Sequence, residues 1–427
     1  MSNDFIRVNQ SLNLNGKINL SGAKNAALPI MASLILTKGK SELSNVPDSS
    51  DINQMIQLLS DLGAKVLFDS EKNYLEVDTS TINNYEVKPE IMDKMRASIL
   101  VMGPLLARFG NAKVALPGGC LIGSRPIDYH LKGFKKLGVL IDQKESFLNA
   151  SLNEISFDKT GFDKRIIFEY PSVGATENLA MFACLQEGET VIVNAALEPE
   201  VLDFLSVLKK MGAKIEIEAP SILKITGVKK LFSVKHEIIP DRLEAGALLL
   251  SAAISGGEIY LPNARADHMD VFLEKLREMG HEVKIENGIK FKTCKNPKAV
   301  SFKTGPYPGF PTDLQAPMMV AQIVANGSCC IEETVFENRL MHVKELQKMG
   351  AQIRVEGSKA FVKGVEQIYG AQVFATDIRA SCALVLAGLI AKDKTDVMGV
   401  SHWKRGYDNF EKKLSLLGAQ VELRKEI

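Results

Sequence analysis

An α/β (α+β) fold in two similar domains, each of three repeated helix-strand-helix-strand units, is predicted by three observations on this sequence. First, an apolar-periodic helix that ends in Leu-Gly or Met-Gly and runs straight into a strand-like stretch occurs six times. It reads LLSDLGAKV, FKKLGVLID, LKKMGAKIE, LREMGHEVK, LQKMGAQIR and LSLLGAQVE. The glycines are Gly63, Gly138, Gly212, Gly280, Gly350 and Gly418, spaced by 75, 74, 68, 70 and 68 residues. Second, another glycine lies about one helix upstream in five units, as Gly39, Gly110, Gly188, Gly257 and Gly327, with Lys394 in its place in the sixth. Third, HEIIPDRLE, from His236 to Glu244, carries the proline and charges of a crossover just before the fourth unit.

The elements follow in order within each unit. In the first, Ile52, Met55, Ile56, Leu59 and Leu62 fall at helical spacing, and Gly63 stands where a left-handed cap ends the helix. Such a unit cannot bury both faces alone, so three are expected to share one core and three another. The boundaries predicted are 22–238 for the first domain and 1–21 with 239–427 for the second. The loops that open the helices hold SGAKN (Ser21 to Asn25), MDKMRAS (Met92 to Ser98), YPSVGATEN (Tyr170 to Asn178), PDRLEAG, FPTDLQA and ATDIRAS. Polar residues gathered at helix N-termini, with their free N–H groups and partial positive charge, favour anions.

Composition narrows the function. The chain has 427 residues, 46% of them hydrophobic and 24% charged, with a net charge of +1, and no long basic run. A general nucleic-acid binder is therefore not expected. MSNDFIRVNQ has no basic region followed by an apolar stretch, and the apolar runs fall short of the roughly 20 residues that span a bilayer. A cytoplasmic location without membrane attachment is expected. Six cysteines without a CxxC pair, and six histidines without HExxH, support neither a metal nor a redox site. SGAKNAALP lacks Walker spacing, and there is no GxSxG.

The segment PGGCLIGSRPIDYH, Pro117 to His130, suits neither a buried helix nor a strand. Cys120 sits there among Gly118, Gly119 and Gly123, and Arg125 lies five residues on. Free cysteine usually behaves as a small buried hydrophobe. Cys184 and Cys382, in apolar helical runs, fit that description, as do Cys329 and Cys330 in a strand-like run, while Cys294 suits a surface loop. Cys120 alone has a glycine-rich, arginine-bearing setting that favours a thiolate or a positioned acid. Arg96, Arg125, Arg339, Arg379 and Arg405, with Lys24, recur at matched loops and suggest a ligand with several negative charges. Surface arginines also cap helices and bridge carboxylates. Asp313 and Asp377 each precede an apolar helix, so either an N-cap or a proton acceptor is consistent with the sequence.

SGAKNAALP, MRAS, LPGGCLIGSRPID, PSVGAT, FPTDLQA, ETVFENR, ATDIRAS and RGY together resemble the UDP-N-acetylglucosamine 1-carboxyvinyltransferase family of enolpyruvyl transferases. The resemblance runs in order from the N-terminus to beyond Tyr407. It implies two inside-out α/β barrel domains with the active site in the cleft between them. It also implies transfer of the enolpyruvyl group of phosphoenolpyruvate to the sugar 3-hydroxyl of UDP-N-acetylglucosamine, by addition then elimination of phosphate. No metal or organic cofactor is implied, and a monomer acting on these two small molecules is expected. By the same resemblance Cys120 is the proton donor on a loop that closes as a lid, and Lys24, Arg125 and Arg405 hold phosphoenolpyruvate. Asn25 and Arg96 contact substrate, as do Ser172, Val173 and Gly174. Arg125, Pro126, Ile127, Asp128 and Tyr129 hold the nucleotide. Asp313 accepts or fixes the sugar hydroxyl proton, Val335 lies against the sugar nucleotide, and Arg339, Asp377 and Arg379 complete the site.

Two departures are visible. Tyr170 stands where some members have lysine, and Lys404 where an aspartate can occur. Two alternatives remain open on the sequence: the related transfer to shikimate 3-phosphate, against which the Cys120 loop argues, and a non-catalytic UDP-sugar binding protein. Intact Cys120, Lys24, Arg405 and Asp313 disfavour the second.

Overall fold

The structure, a computed structural model, describes residues 4–87, 96–115, 127–144, 147–152 and 164–425. Among them the strands form six small sheets, one for each repeat of the glycine phrase. The third repeat shows the pattern. Helix Val173–Ala183 leads into strand Glu189–Val193, helix Pro199–Lys210 into strand Lys214–Glu218, and a further strand, Ile222–Thr226, returns antiparallel to both strands. A short strand, Arg165–Ile167, precedes the first helix and pairs parallel with Glu189–Val193.

Each repeat therefore has more strands than the helix-strand-helix-strand pattern predicts. The return strand follows a tight turn, and the leading strand has only three residues. Neither is long enough to show its period in the sequence.

All six predicted cap glycines take positive φ, between 85° and 103°. The amide after each of five of them bonds back five residues, as Ala64 N–H does to the Leu59 carbonyl at 3.0 Å. A side chain would be strained in this left-handed cap, so glycine ends the helix where the strand must start. The upstream marker differs at two repeats. In the fourth, Gly256 rather than Gly257 is left-handed, with φ 86°. Gly257 is instead required by crowding, since a Cβ there would sit 1.9 Å from the Leu14 carbonyl oxygen. In the sixth, Asp393 rather than Lys394 takes the position at φ 69°, as a short polar side chain tolerates.

Contacts divide the described residues into two units, one within Gly22 to Ile239 and the other comprising the chain up to Ser21 and from Pro240 onward. Each has its own apolar core. In the second unit helices Arg242–Ser255, Gln315–Ile323 and Ile378–Ile390 pack on one another and are buried on nearly every face. Burying a leucine such as Leu248 or Leu384 in such a place is worth roughly 1.5–3 kcal/mol of transfer free energy. Outer helices show one apolar face, as Ser50–Asp61 does with Ile52, Met55, Leu58 and Leu59.

Each unit borrows a strand to complete a sheet. In the first unit Lys235–Glu237 pairs parallel with Lys40–Ser44. In the second, Asn15–Lys17 joins Glu258–Leu261, and Phe5–Asn9 lies between Thr395–Met398 and Gln420–Arg424. Arg7 ties that last insertion to Asp396 through two 2.7 Å hydrogen bonds.

Candidate functional site

Five of the six helix-opening motifs lie at the starts of the buried central helices, and MDKMRAS falls largely outside the described residues. Polar groups are carried there because a central helix exposes little but its end. In the second unit Asp313 occupies a short 3-10 turn, Thr312–Leu314, immediately before helix Gln315–Ile323. It caps neither. One carboxylate oxygen accepts from Arg339 Nη2 and the other from Arg379 Nη2, each at 2.7 Å. The arginine side chains are 2% and 6% exposed and that of Asp313 is 24% exposed, so the carboxylate is the part of this trio open to a ligand.

Burial alone would raise the Asp313 carboxyl, but the charges and hydrogen bonds of Arg379 and Arg339 outweigh it and hold the group far below the usual carboxylate range. Arg379 also donates to Tyr407 Oη at 3.2 Å. Asp313 is therefore a fixed, fully ionised acceptor. The two arginines are its counter-ions, the carboxylate-bridging role that the sequence left open beside ligand binding.

Asp377 has the other role that the sequence left open. It is the N-cap of helix Ile378–Ile390, accepting from the backbone N–H groups of Arg379 at 2.8 Å and Ala380 at 3.1 Å. Because that helix carries Arg379, the cap also fixes the start of the Asp313 clamp. Replacing Asp377 with alanine is expected to lower stability by about 1 kcal/mol, as loss of an N-cap does. A thermal melt checks this, and an unchanged midpoint would show that the cap contributes nothing.

Arg405 is half-buried in the last turn of helix Val400–Gly406. The next residue must be glycine, since a Cβ on Gly406 would lie 2.2 Å from Ile378 Cγ2. The Arg405 helix is thereby pressed against the residue beside Arg379. Val335 is half-buried on a loop held by Glu333, which the sequence did not single out. One Glu333 oxygen accepts from the N–H groups of Val335 at 2.8 Å and Phe336 at 3.2 Å, and the other from Thr312 Oγ1 at 2.9 Å. A buried glutamate within ETVFENR has no periodicity to mark it, because its partners are two backbone amides and a distant threonine hydroxyl.

In the first unit Lys24 opens helix Lys24–Ser33 and is buried, its Nζ 3.2 Å from Asp51 at the start of helix Ser50–Asp61. Asn25, beside it, is exposed. Ser172 caps helix Val173–Ala183. Val173 is 36% exposed, and a Cβ on Gly174 would touch the His130 ring at 3.4 Å. His130 and Asn178, both missed by the sequence argument, lie behind these residues. Asn178 bridges His130 Nδ1 at 3.0 Å, the Ile99 carbonyl and the Gly103 N–H. Burial lowers the His130 pKa to about 4, so its ring is neutral at physiological pH. Ile127 is half-buried, Asp128 begins helix Asp128–Lys136, and Tyr129 packs edge-on against Phe168 with ring centroids 5.4 Å apart.

Cys120, Arg125 and Pro126 lie outside the described residues, as does the Arg96 side chain, although Arg96 begins the 3-10 helix Arg96–Val101. Burial pushes the thiols of Cys184 and Cys329 up to about 12 and that of Cys382 to about 11, which makes them inert core residues. Cys294 is half-buried, with its Sγ 3.6 Å from the Met279 carbonyl. Among the described residues no group of three or more His, Cys, Asp or Glu side chains is placed to hold a metal ion, and no helix is long and apolar enough to cross a membrane.

The fold is that of the enolpyruvyl transferases. It aligns with the crystal structure of the enolpyruvyl transferase NikO from Streptomyces tendae at a TM-score of 0.89, over 100% of both chains and at 21% identity. With EPSP synthase from Acinetobacter baumannii the TM-score is 0.75, at 15% identity, over 99% of this chain and 100% of that one. In sequence the chain is 48% identical to UDP-N-acetylglucosamine 1-carboxyvinyltransferase 2 of Carboxydothermus hydrogenoformans, over 96% of each chain. It is 45% identical to UDP-N-acetylglucosamine 1-carboxyvinyltransferase of Geobacter metallireducens, over 97% of each. Residues 8–414 match the family described as EPSP synthase (3-phosphoshikimate 1-carboxyvinyltransferase), and the chain belongs to that family.

Proposed function

We propose that this protein transfers the enolpyruvyl group of phosphoenolpyruvate to the 3-hydroxyl of the N-acetylglucosamine in UDP-N-acetylglucosamine, releasing phosphate. The observation that carries the proposal is the Asp313 carboxylate, fixed by Arg339 and Arg379 in a chain that shares 45–48% identity over nearly its full length with named UDP-N-acetylglucosamine 1-carboxyvinyltransferases. The enzyme works as a monomer in the cytoplasm and supplies a peptidoglycan precursor.

The reaction proceeds by addition and elimination. Cys120 delivers a proton to C3 of phosphoenolpyruvate as the sugar hydroxyl oxygen bonds to C2. The hydroxyl proton is released toward Asp313, giving a tetrahedral carbon that bears both phosphate and sugar. A C3 proton then returns to the Cys120 thiolate, restoring the double bond as the C2–O bond to phosphate breaks, and the phosphate leaves with the proton held at Asp313. Asp313 is too weak a base to deprotonate a free sugar hydroxyl, given its arginine partners. As an acceptor it orients that hydroxyl, and the proton becomes acidic only as C2 gains positive charge. Lys24, Arg125 and Arg405 hold the phosphate and carboxylate. Asn25, Arg96, Ser172, Val173, Gly174, Val335 and the segment Arg125 to Tyr129 contact the sugar nucleotide.

The test is a phosphate-release assay with phosphoenolpyruvate and each acceptor in turn. Turnover with UDP-N-acetylglucosamine and none with shikimate 3-phosphate is the expected result, and the reverse would overturn the proposal.

A further inference from the structure

We infer that Ser21, Lys413, Glu244 and Asp408 form a buried strut that positions Arg405 for phosphoenolpyruvate, an inference that rests on the function proposed above. Ser21 Oγ donates to Asp408 Oδ2 and accepts from Lys413 Nζ, both at 2.7 Å. Lys413 also bonds Glu244, whose second oxygen accepts the Ser21 N–H at 2.8 Å. The other Asp408 oxygen accepts from Asn409 Nδ2 at 2.8 Å. Ser21, Glu244 and Asp408 are 7%, 4% and 8% exposed, and the Lys413 side chain 14%. Two carboxylates, an ammonium and a hydroxyl are thus held together away from water.

Such a cluster stabilises a fold less well than apolar side chains of the same volume would, so its presence here asks for another reason. Its position supplies one. Asp408 lies three residues after Arg405, and the intervening pair is fixed from the other side, Gly406 against Ile378 and Tyr407 against Arg379. Asp408 comes next, and it is tied to a different part of the unit from that pair. The tie leads to Ser21, whose carbonyl accepts the Asp241 N–H at 2.9 Å. Arg405 is thereby clamped between the central helix Ile378–Ile390 and the paired segments at Ser21 and Asp241. Burial pushes Glu244 up to about 7 despite the opposing pull of Lys413, in keeping with a cluster retained for placement rather than stability.

In the full-length protein, S21A removes the link between Asp408 and Lys413 without touching a substrate-binding side chain. Steady-state phosphate release should show the KM for phosphoenolpyruvate raised about tenfold, as expected for loss of one charge-assisted hydrogen bond, with the KM for UDP-N-acetylglucosamine and kcat within about threefold of wild type. S21T, which keeps the hydroxyl, should restore the KM, and D408A should reproduce the S21A effect if S21A does not fold. An unchanged KM for phosphoenolpyruvate in either folded variant overturns the inference. So does a parallel loss in all constants together with a lowered melting temperature, which marks a purely structural role. Wild-type protein that releases no phosphate defeats the proposed function itself. Active wild type with an unaffected variant defeats only the strut.

Discussion

Replacing Asp313 with asparagine is expected to lower kcat by about a thousandfold, within the range that loss of a positioned proton acceptor produces. Asparagine is nearly isosteric, but it has no charge to balance Arg339 and Arg379, and its amide nitrogen would face one of two buried guanidinium groups that can only donate. The sugar hydroxyl then loses both its acceptor and the field that favours departure of its proton. Because removing one partner from a buried ion pair commonly costs about 3–5 kcal/mol, the melting temperature should fall as well. Single-turnover phosphate release on folded protein separates the two effects. A chemical step within about tenfold of wild type would show that Asp313 is only a structural counter-ion.

The second large effect belongs to Cys120. An epoxide phosphonate of the fosfomycin type, presented with UDP-N-acetylglucosamine, should open on the Cys120 sulfur and add its whole mass, since ring opening expels no leaving group. Cys120→Ala should lower kcat by roughly 10²–10⁴-fold, the worth of a positioned general acid. Cys120→Asp should keep turnover, because a carboxyl can deliver a proton, while escaping alkylation. Peptide mass spectrometry that finds the label elsewhere, or undiminished turnover in Cys120→Ala, would remove this thiol from the mechanism.

Much of the architecture was legible because glycine makes the same demand six times. A left-handed cap tolerates few other residues, so Gly63 and its five counterparts mark the second helix-to-strand passage of each repeat. The upstream marker was less reliable because glycine answers more than one need: Gly256 supplies the turn and Gly257 the close approach, while Asp393 meets the turn without glycine. Strands borrowed from far along the chain left no local trace. Phe5–Asn9 has an ordinary alternating pattern and shows nothing of its partners, Thr395–Met398 and Gln420–Arg424.

For the site, residue types were readable and pairings were not. Asp313 and Asp377 looked alike, each an acid before an apolar helix, yet one is clamped by two arginines and the other caps a helix. The distinction depends on Arg339 reaching back to Asp313, which local sequence cannot express. Glu333, Asn178 and Ser21 escaped notice for a related reason. Their work is to hold backbone or neighbouring side chains, and many sequences carry glutamate, asparagine and serine without any such duty.

The strand Phe5–Asn9 also sets an order of events during synthesis. Arg7 and Asp396 are 389 residues apart, so at roughly 5–20 residues per second the ribosome needs roughly 20–80 s to produce the partner after the strand itself has emerged. The unit from Gly22 to Ile239 is complete well before that and can fold while its host is still being made. Meanwhile a short strand with one apolar face waits with both edges open, the condition in which chains pair with the wrong neighbour. A protein built this way gains from a chaperone or a fast-folding inserted unit during that interval, and this early strand is the place where misassembly would begin.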